Sequence, residues 1–125
     1  MRKTIYTKLK EITEFGNRIF QPFSAPENCA TPYAVIKVYG DEEALNNFKG
    51  QKDSFSVFIY NSPDSFVSID SLIVKVKIKL DNVKLSITGG GSFISEYIKT
   101  TEDMYDDLKK LFMKRIDFDV AGIRI

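Results

Sequence analysis

Two extended apolar runs near the middle of the chain, and the helix start that follows them, constrain the fold most. The first run, 34–39, is led by Pro32, which restrains the preceding residue to an extended conformation. A polar segment, 41–53, separates it from the second run, 54–60, in which apolar and polar residues alternate as in a β-strand. Because the second run is largely apolar on both faces, it is either a central strand covered on both sides or is partly buried by a neighbouring subunit.

The next segment gives conflicting signals. Residues 74–80 alternate strictly between apolar residues and lysine, which favours a strand. Against this, Ser62, Pro63 and Asp64 supply an N-cap, a first-position proline and an acid in the first helical turn. Five apolar residues also recur at helical steps: Phe66, Ile69, Ile73, Val76 and Leu80. We therefore predict a helix from 63 to 80.

The apolar surface of this helix is wider than one stripe. The residues that widen it are Val67, Leu72, Val74 and Ile78. We expect the helix to be sandwiched between the sheet and something else.

Similar patterns assign the rest of the chain. Apolar spacing predicts a helix over 3–15 that stops at Gly16, and 17–33 is expected to pack without regular structure. Strands are expected over three further ranges, 83–88, 93–100 and 111–120, while 101–110 is expected to be a helical turn or a loop. The 125 residues suit one domain, 1–125. These elements predict an α+β fold with four to five strands and two helices.

Composition excludes most chemistry. The chain has no histidine and one cysteine, Cys29, so the common metal ligands, general bases and thiol sites are missing or isolated. Among the carboxylates, Asp117 and Asp119 are interpreted as the outward face of the last strand. We expect no enzyme activity, no cofactor and no metal site. Lys and Arg total 18 against 17 for Asp and Glu, so the overall charge does not favour nucleic acid or an acidic membrane.

The order of several short motifs resembles a known family. Gly16-Asn17-Arg18-Ile19-Phe20 is followed by Pro32-Tyr33, then by Lys49-Gly50 before an extended run, and the chain closes on Arg115-Ile116-Asp117-Phe118-Asp119-Val120. This order is similar to that of the tail terminator or tail completion proteins, minor tail proteins of long-tailed bacteriophages and prophages. The resemblance implies two helices packed on one face of a mainly antiparallel sheet. It carries over no catalytic motif.

The resemblance also implies a function and partners. Such a protein is a structural virion component that forms a hexameric ring, caps the tail tube, ends tail growth and provides the surface for head-tail joining. Its partners would be further copies of itself, the major tail tube protein and a head completion or connector protein, with DNA only passing through the ring lumen and no membrane. It would be found in the virion tail, and in the bacterial host cytoplasm during assembly.

A closed ring requires two different patches on each subunit. We expect one to combine the face of Phe58 and Tyr60 with the loop 40–53, and the other to be the segment 101–110. Acids of the loop on one subunit would meet Lys109 and Lys110 on the next, which fixes register and orientation. The candidate interface residues are Asp41, Glu42, Glu43, Lys49, Lys52, Phe58, Tyr60, Lys109 and Lys110.

An alternative is a small nucleic-acid or protein binding module without catalytic activity. Lys49-Gly50 precedes a strand that carries Phe55, Phe58 and Tyr60, as in some RNA-binding sheets. However, the aromatic residues do not follow the glycine at the spacing of those domains, and the balanced charge disfavours a phosphate-dominated interface.

Overall fold

A computed structural model describes residues 2–22, 24–25, 30–39, 53–62, 66–86 and 92–123 of the chain. Within these ranges there are two helices, α1 (Arg2–Leu9) and α2 (Phe66–Leu80). The strands are β1 (Ile19–Phe20), β2 (Tyr33–Tyr39), β3 (Asp53–Asn61), β4 (Val83–Ser86), β5 (Ser92–Thr100), β6 (Met104–Asp106) and β7 (Leu111–Ile123). Neither helix in the described ranges has the length and apolar character needed to cross a membrane.

The strands form one sheet in the order β1-β2-β3-β7-β5-β4, with β6 also paired to β7. Only β1 and β2 are parallel among these pairs, and the others are antiparallel. The long strand β7 pairs with β3 along one edge, while β5 and β6 occupy successive stretches of its other edge. A register shift between Tyr97 and Lys99 interrupts the β5–β7 pairing.

The predicted fold class was wrong, because it contained too few strands. An α+β fold with four to five strands and two helices was expected, whereas the described residues form mostly sheet, with seven strands and two short helices. The two additional strands are β1, in the segment expected to be irregular, and β6, in the segment expected to be a helical turn or a loop. They contain two and three residues, too few to show a period of two, and pairing with β2 and β7 defines them.

The first predicted helix is also shorter than expected. The α-helix ends at Leu9, and the chain continues through turns with bonds to the third residue back, such as Phe15 N to Ile12 O at 3.2 Å. Ile12 and Phe15 are nevertheless buried, as their spacing predicts. Gly16 has a φ of +56°, a left-handed conformation that glycine adopts without steric cost.

The helix predicted over 63–80 is confirmed as α2 over 66–80, and its predicted start at 63–65 lies outside the described residues. The end of α2 is hydrogen-bonded to β5. The buried Ser95 Oγ donates to Leu80 O, and Asn82 N donates to Ser95 O at 2.7 Å. Asn82 has a φ of 56°, in the left-handed region that often ends a helix. Asp81 Oδ1 accepts a bond from Tyr97 N at 2.9 Å. These bonds satisfy polar groups at the end of the helix and set its direction across the sheet.

The core lies between the two helices and one face of the sheet. Alternate residues of β3 and β7 point into it, and Phe55 and Phe118 stack there with ring centroids 4.9 Å apart. The helices contribute a set of fully buried aliphatic side chains: Ile5, Leu9, Ile69, Val76 and Leu80. The side of the sheet opposite the helices is called the outer face below.

Candidate subunit interface

Phe58 and Tyr60 lie half-buried on the outer face, as the alternation of β3 predicts. Their cross-strand neighbours are Val35 and Arg115 for Phe58, and Tyr33 and Met113 for Tyr60. This end of the outer face therefore carries aromatic and aliphatic side chains with a cation at its margin. Partial exposure of such a surface is typical of protein contact sites.

Tyr60 is fixed by its neighbours. Its ring stacks on Tyr33 with centroids 4.9 Å apart, and Tyr33 meets Phe20 edge-on at 5.9 Å. Lys109 Nζ lies 5.5 Å from the centroid of the Tyr60 ring, within cation–π range. Burial, together with the nearby carboxylate of Asp106, raises the pKa of Tyr60 above its ordinary value of 10.0, so the hydroxyl is neutral at physiological pH.

The other end of the outer face is polar. Ser56 Oγ donates to Asp117 Oδ1 at 2.6 Å, and Arg115 Nη2 donates to Asp117 Oδ2 at 3.3 Å. Arg115 Nε is 2.9 Å from Asp117 Oδ1, an ion pair without the alignment of a hydrogen bond. Lys37 is opposite Ser56 in the sheet register, and Lys99 is opposite Asp117. The outward position predicted for Asp117 is confirmed, but the network around it was not predicted.

The hairpin that joins β6 to β7 has a defined shape. Asp106 Oδ1 accepts bonds from Leu108 N and Lys109 N, both at 3.0 Å, and Lys110 N donates to Asp106 O at 2.7 Å. Lys110 has a φ of 54°. These bonds form a tight turn whose side chains, including Lys109 and Lys110, are exposed. Leu108 is 97% exposed at the turn. It was not predicted as a contact residue, because one leucine within a charged segment makes no pattern.

The structure of a single chain does not test whether the predicted interface residues contact another copy. Asp41, Glu42, Glu43, Lys49 and Lys52 lie outside the described residues, so their contact with Lys109 and Lys110 stays a prediction. The structure brings Lys109 against Tyr60 of the same chain. The hairpin and the aromatic end of the outer face are therefore adjacent parts of one surface. A second, separate patch has to be sought elsewhere.

The helix α2 exposes apolar residues on the side away from the sheet. Val74 and Ile78 are 56% and 71% exposed, and they are four residues apart on one side of the helix. The expected cover on a second side is supplied in part by the turns that follow α1, through ion pairs from Lys75 to Glu14 and from Lys79 to Glu11. Over the described ranges, this cover leaves Val74 and Ile78 mostly exposed to solvent.

The described side chains do not suggest metal chemistry. Within the ranges that the structure covers, no three His, Cys, Asp or Glu residues form a group that could hold a metal ion. A cavity of about 600 Å³ lies beside α1 and β1 and has a largely apolar lining that includes Tyr6, Phe20 and Ile36.

Comparison with known proteins finds a similarity of fold to a solved structure, and none of sequence. No protein-family model matches the sequence, and no curated protein matches it. Among solved structures, the fold is similar to a chain described as "Virion of native gene transfer agent (GTA) particle", with a TM-score of 0.70 and 12% sequence identity. The similarity covers 98% of this chain and 93% of that chain. At this identity the likeness shows a shared fold.

Proposed function

We propose that this protein is a structural component of a phage-like virion, and that within the virion it forms the ring that ends the tail tube. The fold similarity to a chain of a gene transfer agent virion, over nearly the full length of both chains, carries this proposal. The motif order in the sequence points in the same direction independently. We assign the protein no catalytic role.

Its surface suits a protein that works by assembly. The outer face exposes an aromatic and aliphatic end next to a bonded polar network, and α2 exposes a separate apolar pair. Two distinct patches are what a subunit of a closed ring uses to bind one neighbour on each side. In this function the partners are other copies of the chain, the major tail tube protein and a head completion or connector protein. DNA would pass through the lumen without being bound specifically.

The first test is the absolute mass of the purified protein, measured by light scattering over a concentration series, with negative-stain images. We expect a species of six times the 14.3 kDa subunit that images as a ring. A protein that remains a monomer at every concentration would shift the interpretation to a binding module. A nucleic-acid titration at two salt concentrations would then follow.

The second test addresses tail-tube capping and the candidate loop. Added to polymerising tail tube protein, the wild type should shorten the tubes. Joint charge reversal of Asp41, Glu42 and Glu43 should weaken both ring assembly and capping, whereas Lys84→Glu, an exposed position on β4, should change neither. Unchanged assembly in the triple variant would remove this loop from the proposed interface. Tubes of unchanged length with the wild type would remove the terminator role.

A further inference from the structure

Leu108 is held away from the body of the protein by the turn that carries it. The residue is 97% exposed, and the bonds from Leu108 N and Lys109 N to Asp106 Oδ1 fix the backbone at and after it. Leaving a leucine in water forgoes the favourable free energy of burying an apolar side chain. A leucine that projects from a rigid turn is suited to act as an anchor residue in a contact. The backbone that carries it is already ordered, so binding costs little further conformational entropy.

Val74 and Ile78 provide an exposed apolar surface on α2. They lie one helical turn apart, so a leucine side chain from another chain can pack into the groove between them. Lys75 and Lys79 at one flank are already paired with Glu14 and Glu11. At the other flank Lys77 Nζ lies 4.0 Å from the centroid of the Tyr97 ring, with no carboxylate partner among the described residues.

The charges beside the two features are complementary. Asp107, next to Leu108, is exposed and forms no ion pair within the described residues. Lys77, next to Ile78, pairs with no carboxylate within the part of the chain that the structure describes. A contact that buries Leu108 between Val74 and Ile78 can bring Asp107 close to Lys77, and a charge pair at the rim of a contact fixes its orientation.

The two features lie towards opposite ends of the strands. The hairpin is at the end of the sheet where Asn61 pairs with Phe112. The start of α2 lies near the same end, because Asp70 Oδ1 is 2.7 Å from Lys114 Nζ. The bond from Ser95 to Leu80 O places the end of α2, and so Ile78, towards the other end. Leu108 and Ile78 are therefore suited to binding two different neighbours.

We propose that Leu108 of one copy of this chain packs between Val74 and Ile78 on α2 of the next copy, with Asp107 beside Lys77. The contact is head-to-tail, since it joins two different surfaces, and repeated head-to-tail contacts close into a ring when the rotation between copies allows it. This inference rests on the proposed function, because it supplies the second patch that a ring subunit needs.

The test uses two variants of the full chain, Leu108→Ser and Ile78→Ser, with Ile98→Ser as the matched control. Ile98 is an exposed isoleucine on β5, outside the proposed contact. Circular dichroism and thermal unfolding should show that all three variants keep the fold, because each altered side chain is exposed. In sedimentation velocity, each of the two contact variants should associate at least about thirtyfold more weakly than the wild type, the loss typical of a central anchor, and Ile98→Ser should match the wild type.

Mixing the two contact variants gives the sharpest result. Leu108→Ser keeps an intact α2 surface and Ile78→Ser keeps an intact Leu108, so a 1:1 mixture retains one complete contact per pair. We expect each variant alone to be monomeric and the mixture to form dimers without rings. A mixture that stays monomeric would overturn the pairing of these two surfaces.

Failure of the contact can be separated from failure of the proposed function. If the wild type forms rings and both contact variants form the same rings, the Leu108 contact is overturned while the ring function stands. If the wild type never associates, both the contact and the self-assembling ring are overturned.

Discussion

At the scale of single residues, Lys114 on β7 forms ion pairs both with α2 and with the segment just before β6. Its Nζ lies 2.7 Å from Asp70 Oδ1 on α2 and 2.8 Å from Asp103 Oδ1 just before β6, and its side chain is only 15% exposed. Hydrogen bonds to Asp103 and then to Asp70 raise the pKa of Lys114 above its ordinary value of 10.5. The lysine therefore occupies an inward position of β7 without leaving a buried charge unpaired.

This raised pKa predicts how stability depends on pH. Because the folded state holds the proton more tightly than the unfolded chain, the contribution of Lys114 is fully present below the ordinary lysine pKa and is lost as pH rises through the folded-state pKa. We expect Lys114→Met to lower the free energy of unfolding at pH 7 by about 1 kcal/mol, since both carboxylates are more than half exposed. As pH rises past 10.5, the difference from the wild type should shrink.

Urea unfolding at pH 7, 9 and 11 measures this difference, with Lys84→Met, an exposed lysine on β4, as the control. The control should stay within about 0.5 kcal/mol of the wild type throughout. A difference for Lys114→Met that stays constant to pH 11 would show that the ion pairs do not contribute.

At the scale of elements, α2 shows how a conflict of local signals is resolved. Its sequence alternates like a strand between Val74 and Leu80, yet the segment is helical. A strand would place Val74 and Val76 on the same face, whereas the helix separates them by about 200°. Accordingly Val76 is fully buried and Val74 is 56% exposed. The apolar residues that recur at helical steps, such as Ile69, Ile73 and Leu80, form the buried face of α2.

The two valines offer a matched prediction. Val76→Ala should destabilise the protein by roughly 2 kcal/mol, because it leaves a cavity in the core, whereas Val74→Ala should cost less than about 0.5 kcal/mol. Equilibrium unfolding in urea by circular dichroism measures both free energies. Equal costs would contradict the helical assignment, since equal burial is what a strand would give.

At the scale of the whole molecule, β3 and β7 form the centre of the sheet. They pair over nine positions, from Asp53 opposite Val120 to Asn61 opposite Phe112, and each also pairs with another strand on its second edge. The helices cover this centre on one side through Ile69 and Val76, among others. By contrast, β1 and β6 are short and are attached through one neighbour each.

This arrangement predicts a gradient of local stability. Amide hydrogens of Val57 and Ile116, in the middle of β3 and β7, should exchange only through global unfolding, and those of β1 and β6 should exchange through smaller openings and at least about tenfold faster. Native-state hydrogen exchange followed by NMR measures both groups. Equal protection in β6 and β7 would show that the hairpin belongs to the global folding unit.

The sequence alone determined the elements whose apolar residues follow a clear period. The long strands, the helix α2 and the inward face of β7 are all visible in the spacing of apolar residues, because a period of two or of about 3.6 needs only local information. Phe58 and Tyr60 were placed on the outer face for the same reason. The absence of histidine likewise bounded the chemistry before any fold was known.

The tertiary structure decided what depends on pairing between distant segments. β1 and β6 exist because β2 and β7 offer them hydrogen-bonding edges, and no local pattern of two or three residues could show this. The contact of Lys109 with Tyr60, the network around Asp117 and the exposure of Leu108 likewise follow from how the hairpin and the strands meet. The period of the apolar residues shows which side of an element is buried. The surface that remains for a partner depends on how all the elements pack together, which no local pattern shows.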